Sequence, residues 1–284
     1  CPSCGASHDG EHPERCHVCN TALSKSVPLT NLYRIENVGT RQADRITSND
    51  EERKRQGFEI QTTFAFDASS YTASMKVSDD AGDIIQIDYA QAAYISRINK
   101  GLRRRADKSE IGFYINPKTG VWVGKPKDDG SDEERPDQLK QLIVPLVEDR
   151  KNALLIRFDD DWLSDLGKDA DKTLTTFQHA LARGIEAVFQ LEEGEILVEP
   201  TPSRSERRAL LFYEAAEGGA GALGQMVSEK GSIALVSRKA LEIMHFKPSS
   251  FSTPHSDPDK LVQKAGVDCV AGSLCGVLKD EGLK

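Results

Sequence analysis

CPSCGASHDGEHPERCHVC, residues 1–19, decides how the amino end of this chain can fold. Four of the six cysteines lie in it, as Cys1, Cys4, Cys16 and Cys19. Each Cys-x-x-Cys turn can present two thiolates to one ion. Two such turns complete a tetrahedral shell with Zn–S distances of about 2.3 Å. Four sulfurs leave no site for water, so the Zn2+ expected here is structural. The stretch between them, Gly5 to Arg15, has loop composition and little apolar surface, so metal binding must supply its folding energy. A redox pair needs only one Cys-x-x-Cys, beside a βαβ pattern that is absent. His8, His12 and His17 are alternative ligands, but with four sulfurs available they read as surface histidines on a short loop. A secreted disulfide scaffold spreads its cysteines through a short chain. Two close pairs point to metal and to a reducing, cytoplasmic compartment.

Outward from that stretch, 284 residues suffice for one substantial core or two modest ones. With 38% hydrophobic and 29% charged residues the chain reads as globular, not disordered. No apolar run approaches the ~20 residues that span a bilayer, and the polar start is not a signal peptide, so no membrane partner is expected. Cys1 stands where an initiating Met would be, so the numbering is expected to begin inside a longer protein. The net charge of -8 argues against a uniformly basic nucleic-acid-coating protein but leaves room for a local basic groove.

Strands are expected at Leu29–Val38, Phe58–Phe66, Tyr71–Val77 and Ile84–Tyr89, from β-type residues with partial alternation. Thr40 to Gln56 reads as a solvated helix or ordered loop. Gly112–Asn116 and Val121–Gly124 flank Pro117-Lys118-Thr119-Gly120, a hairpin signal. Lys125 to Asp137, with Pro, Gly and acids, reads as a boundary loop. Ile143–Val147 and Leu154–Phe158 read as two strands. Asp171 to Gln190 reads as a helix, because Leu174, Phe177, Leu181, Ile185 and Val188 recur on one face. Ile196–Val198 and Ala209–Tyr213 suit buried strands. A glycine turn then leads to helices at Leu223–Ser228 and Ser232–Phe246, followed by a Ser- and Pro-rich loop from Lys247 to Asp259. The fold class expected is α+β: a zinc ribbon (1–27), a β-rich antiparallel region (28–137), and an α/β domain with helices on a mixed sheet (138–284).

The stretch LLFYEAAEGGAGAL, Leu210 to Leu223, resembles the Tyr-acid-x-x-x-Gly-Gly-Ala-Gly signature of the MZB family. This is the MrfA zinc-binding domain at the C-termini of superfamily II DEAD/DEAH helicases. His179 to Pro200 resembles the element before that signature. Tyr33 to Thr62 and Ala92 to Val123 are similar to the region joining a zinc ribbon to it in very large helicases. The resemblance implies helicase-driven DNA repair or antiviral defence, with DNA (single-stranded or forked) and motor domains as partners. It implies no reaction of the chain's own. No Gly-x-x-x-x-Gly-Lys-Ser/Thr loop occurs, so ATP is expected only in a parent motor domain, which would make the parent an ATP-dependent DNA helicase. The family's closing cysteine cluster is reduced here to Cys269 and Cys275. They read equally as a second metal site, completed by other sulfurs or His255, or as buried thiols.

Arg97, Lys100, Arg103, Arg104, Arg105 and Lys108 face one acid, Asp107, and are the candidate nucleic-acid contacts. Tyr94 and Phe113 flank them and could stack on bases. The alternative is a solvated loop, or pairing with an acidic patch. A second patch (Arg41, Arg45, Arg53, Lys54, Arg55) is offset by Asp44, Asp50, Glu51 and Glu52 and reads as intramolecular pairs. The Gly218–Gly221 turn could cradle a phosphate, though a tight turn is the simpler reading. Glu195, Glu199 and Glu214 beside neighbouring strands raise the alternative of a metal-dependent nuclease, against the simpler reading of surface carboxylates. His179, near Arg183, reads as a packing or surface histidine. A third alternative is a protein-interaction subunit of a multi-component defence complex.

Overall fold

The computed structural model describes residues 1–8, 13–26, 28–35, 57–67, 69–78, 82–103, 105, 107, 109–126, 139–216 and 218–244. Its strands are β1 (Leu32–Arg34), β2 (Phe58–Ala65), β3 (Thr72–Ser78), β4 (Asp83–Leu102), β5 (Phe113–Ile115), β6 (Trp122–Val123), β7 (Gln141–Phe158), β8 (Ile196–Ser203) and β9 (Glu206–Glu214). The helices are α1 (Asp160–Leu166), α2 (Ala170–Phe189), α3 (Ala222–Ser228) and α4 (Ser232–Ile243). The fold is α+β on largely antiparallel strands, and the chain forms two compact units.

The first unit comprises Cys1–Leu23, Ala65–Tyr94 and Arg150–Lys284. In it β3 pairs antiparallel with the start of β4, β7 pairs with β9 through Ala153–Arg157, and β8 and β9 form a hairpin. Ala209 to Glu214 are all buried. A strand covered on both faces reads as one apolar run, as the sequence suggested. Leu154, Ile156, Leu210 and Phe212 pack with Leu174, Leu181 and Ile185 of α2, while Leu155 and Leu211, pointing the opposite way along the pleat, are buried too. Each such side chain contributes about 1.5–3 kcal/mol relative to exposure. Helix α4 packs on α2 where side chains are small: a Cβ at Gly184 would lie 2.9 Å from the Val236 carbonyl oxygen, and Ala180 meets Ala240. Helix α1 begins at Asp159, whose carboxylate accepts from the N–H groups of Asp161 (3.0 Å) and Trp162 (3.1 Å).

The second unit comprises Ser24–Phe64 and Ile95–Asp149. Here β1 runs parallel to β7 at Val144–Leu146, β5 pairs antiparallel with β6 and with the start of β7, and β2 neighbours β4.

The expected helix at Asp171–Gln190 and the hairpin around Pro117–Gly120 are present as α2 and β5–β6. The two strands expected at Ile143–Val147 and Leu154–Phe158 are one strand, β7, and the strand at Ile84–Tyr89 continues to Leu102. Compactness groups residues otherwise than the chain-ordered segments 1–27, 28–137 and 138–284, because β4 and β7 each give residues to both units. Among the described residues of 138–284, β7 pairs antiparallel with β9 and β9 with β8, while β7 runs parallel to β1. The readings of Thr40–Gln56, of most of Lys125–Asp137 and of the tail after Phe246 fall outside the described residues. No helix among the described residues is long and apolar enough to cross a membrane.

Candidate metal centre

The two Cys-x-x-Cys turns fold alike. In the first, Gly5 N–H donates to the Cys1 carbonyl (3.0 Å) and Ser3 N–H to the Cys1 sulfur (3.4 Å). In the second, Asn20 N–H donates to the Cys16 carbonyl (2.8 Å) and Val18 N–H to the Cys16 sulfur (3.4 Å). Closing each turn needs a left-handed residue after the second cysteine, and Gly5 (φ 75°) and Asn20 (φ 62°) supply it. A short antiparallel bridge, Arg15 to Ala22, brackets the second turn, giving the outline of a zinc ribbon.

These turns bring all four sulfurs within 4.8 Å of one another. Cys1 Sγ lies 3.5 Å from Cys19 Sγ, and Cys4 Sγ lies 3.7 Å from Cys16 Sγ. A tetrahedron with Zn–S bonds of about 2.3 Å has edges of about 3.8 Å, so the donor set fits Zn2+. Cys4 and Cys16 are buried and Cys1 and Cys19 half-buried, which excludes water from most of the cage. Hydrogen bonding to Cys16, then Cys19, with burial, pushes the Cys4 thiol far up. A dication supplies the positive charge that a buried set of four thiolates requires.

His8 and His17 meet edge to face, centroids 4.5 Å apart, and are not in the sulfur cluster; His12 lies outside the described residues. Cys269, Cys275 and His255 also lie outside them. The ribbon packs in the first unit: Gly5 sits against Thr201 and Pro202 of β8, where an added Cβ would come within 3.0 Å of Thr201 Cβ.

The Gly218–Gly221 turn has an occupant of its own. Glu214, 2% exposed at the end of β9, lays its carboxylate beneath the turn. Its oxygens accept from Gly221 N–H (3.1 Å), Leu223 N–H (3.0 Å) and Asn152 Nδ2 (3.0 Å). A Cβ at Gly219 (φ 53°) would overlap that carboxylate, which is why glycine stands there. Two backbone donors at this helix start, Gly221 and Leu223, are therefore used by Glu214, and Asn152 is tied in turn to Ala92 N–H (3.4 Å). Sequence reasoning did not give Glu214 and Asn152 this role. The signal was present: an acid closing an apolar run, a few residues before a glycine-rich helix start.

Nor do the three acids form a cation site. Glu195 accepts from Glu192 N–H (2.9 Å), and Glu199 lies 4.0 Å from Arg204. Among the described residues only the four cysteines gather as a potential metal set. His179 lies on α2.

The basic segment is split. Arg97 is exposed on β4. Lys100 lies 4.0 Å from Glu59, and Arg105 donates to Glu59 (2.8 Å) and to the Leu102 carbonyl (3.0 Å). Arg103 is exposed, with its backbone N–H bonded to the Gly57 carbonyl. Arg104, Lys108 and the Arg41–Arg55 patch lie outside the described residues. Tyr94 carries the Arg150 guanidinium 5.0 Å from its ring centroid, while Phe113 is half-buried on β5.

Residues 177–247 match the family model of the MZB domain, the MrfA Zn-binding domain. The match covers α2 from Phe177 onward, the β8–β9 hairpin, the glycine turn and the two helices after it, a stretch that holds no cysteine. Among solved structures the chain is similar to a crystal structure of the DUF1998 helicase MrfA bound to DNA. Identity is 10%, the TM-score is 0.34, and the likeness covers 73% of this chain and 26% of that one, so the chain spans about a quarter of that helicase's length. No curated protein matches the chain.

Proposed function

We propose, starting from an MZB match over residues 177–247 that shares a compact unit with a four-sulfur cage, that this chain is a zinc-stabilised accessory region of a DNA helicase or translocase. Zn2+ is held by Cys1, Cys4, Cys16 and Cys19 and supplies folding energy, with no catalytic step. The chain contributes to guiding nucleic acid and docking the motor, in repair or antiviral defence in the cytoplasm. ATP acts only in motor domains outside it. Arg97, Lys100, Arg103, Arg104, Arg105 and Lys108 are the proposed phosphate contacts, and 1–27, 28–137 and 138–284 the functional modules.

The observation that carries this reading is the cage in one unit with the MZB match. Four sulfurs gathered in a packed unit, a donor set that leaves a bound Zn2+ no open position, support a scaffolding role for the metal. The test is binding of a fluorescent oligothymidylate followed by anisotropy. Affinity should fall as salt rises, and fall further when Arg97 and Arg103 are both replaced by Glu. Unchanged affinity in that double variant would remove the proposed groove.

A further inference from the structure

Three aromatic rings from three strands stand in a row in the second unit. Phe58 of β2 lies 6.1 Å from Phe113 of β5, and Phe113 lies 5.1 Å from Trp122 of β6. The rings are tilted by 54° and 64°, so they do not cover one another face to face. Phe58 and Trp122 are 38% and 58% exposed. Ile60, on the same face of β2 as Phe58, is exposed as well, and so is Leu102, which lines a cleft with Phe113. Single exposed apolar side chains are ordinary, but a contiguous group of them on a few short strands marks a contact surface.

The unit that carries this row is close to charge balance, unlike the acidic remainder of the chain. Of the chain's 37 Lys and Arg and 45 Asp and Glu, the segments Ser24–Phe64 and Ile95–Asp149 hold 18 and 16, so the acidic excess lies in the other unit. The bond from Arg103 N–H to Gly57 sets an exposed arginine beside Phe58. Arg105, Lys125, Phe113 and Tyr114 line a cleft of about 490 Å³. The nearby acids are already engaged, Glu59 with Lys100 and Arg105, and Glu110 with Lys125. Exposed rings that accept base faces and cations that follow phosphates are the two parts of a sequence-tolerant single-strand binder.

We propose that Phe58, Phe113 and Trp122 form a base-stacking platform for single-stranded nucleic acid, with Arg97 and Arg103 on its phosphates. This rests on the nucleic-acid reading above and adds the groups that take the bases. Duplex DNA keeps its bases inside the helix, so the platform discriminates against it.

The test uses the 284-residue chain with three fluorescent probes: an oligothymidylate, an abasic strand of equal length and a blunt duplex. Wild type should bind the oligothymidylate about tenfold or more tighter than the abasic strand. Trp122→Ala and Phe58→Ala should each lose part of that factor, about threefold or more on the oligothymidylate, with the abasic affinity and the salt dependence unchanged. Trp122→Phe, which keeps a ring, should restore most of the binding, separating stacking from misfolding. Equal wild-type affinity for base-bearing and abasic strands, equal affinity for duplex, or silent alanine variants would overturn the platform while leaving phosphate contact intact. Binding of no probe by wild type would overturn both readings.

Discussion

Replacing Glu214 tests what holds the Gly218–Gly221 turn. Glu214→Ala removes the acceptor for three donors, Gly221 N–H, Leu223 N–H and Asn152 Nδ2. At 2% exposure the site gives them no water in exchange. A hydrogen bond to a charged acceptor contributes about 1.5–3 kcal/mol, and an orphaned buried donor costs about 1–3 kcal/mol. These are overlapping counts of the same loss, and the loop can relax in part, so a destabilisation of about 3–5 kcal/mol is expected. Against a typical domain stability of about 5–15 kcal/mol, that is a large fraction. Glu214→Gln keeps the shape but turns one oxygen into a donor. In one orientation the new NH2 faces Leu223 N–H; in the other it faces Gly221 N–H and Asn152. Its cost should be about 1–3 kcal/mol. Urea unfolding followed by circular dichroism reads both, and hydrogen exchange at the Gly221 and Leu223 amides reads the loop directly. An alanine variant within about 0.5 kcal/mol of wild type, the ordinary range for an inert surface position, would refute the reasoning.

Gly184→Leu should destabilise by about 1–3 kcal/mol or more, because any Cβ there presses on the Val236 carbonyl; an unshifted thermal melt would contradict the close approach of α2 and α4. Asp67 accepts from Ser69 N–H (2.9 Å), Ser69 Oγ (2.7 Å) and Arg150 (2.7 Å), and these partners hold its carboxyl below the usual range. The folded state therefore binds that proton less tightly than the unfolded chain does. The stabilisation is present above the unfolded value of about 3.9 and is lost as pH falls through the folded value. Asp67→Asn should lower Tm at neutral pH, with the gap to wild type closing in acid; a gap that widens in acid would contradict this assignment.

The sequence carried the local features that depend on local chemistry. Spacing alone foretold the gathering of Cys1, Cys4, Cys16 and Cys19, and helical periodicity foretold α2. What it hid depends on partners far along the chain. Glu148 to Asn152 looked like a break between two strands, but Glu148, Arg150, Lys151 and Asn152 find distant partners within a continuous β7. Ser96 donates to Glu148 (2.8 Å), Arg150 reaches Asp67 and Tyr94, and Asn152 reaches Glu214. Helix α1 was missed because seven residues opening with two acids carry too little periodicity, and its one local signal is the Asp159 cap. The glycine turn was legible as a turn. That Glu214 fills it was not, since an acid at the end of a strand reads as exposed until its donors are known.

The central claim is that four thiolates hold one zinc. Elemental analysis of the purified chain, beside Cys4→Ser, measures this most directly. One equivalent of Zn per wild-type chain, with loss of the metal in the variant, is the predicted result. A wild-type chain free of zinc, or a variant that keeps its full equivalent, would contradict it.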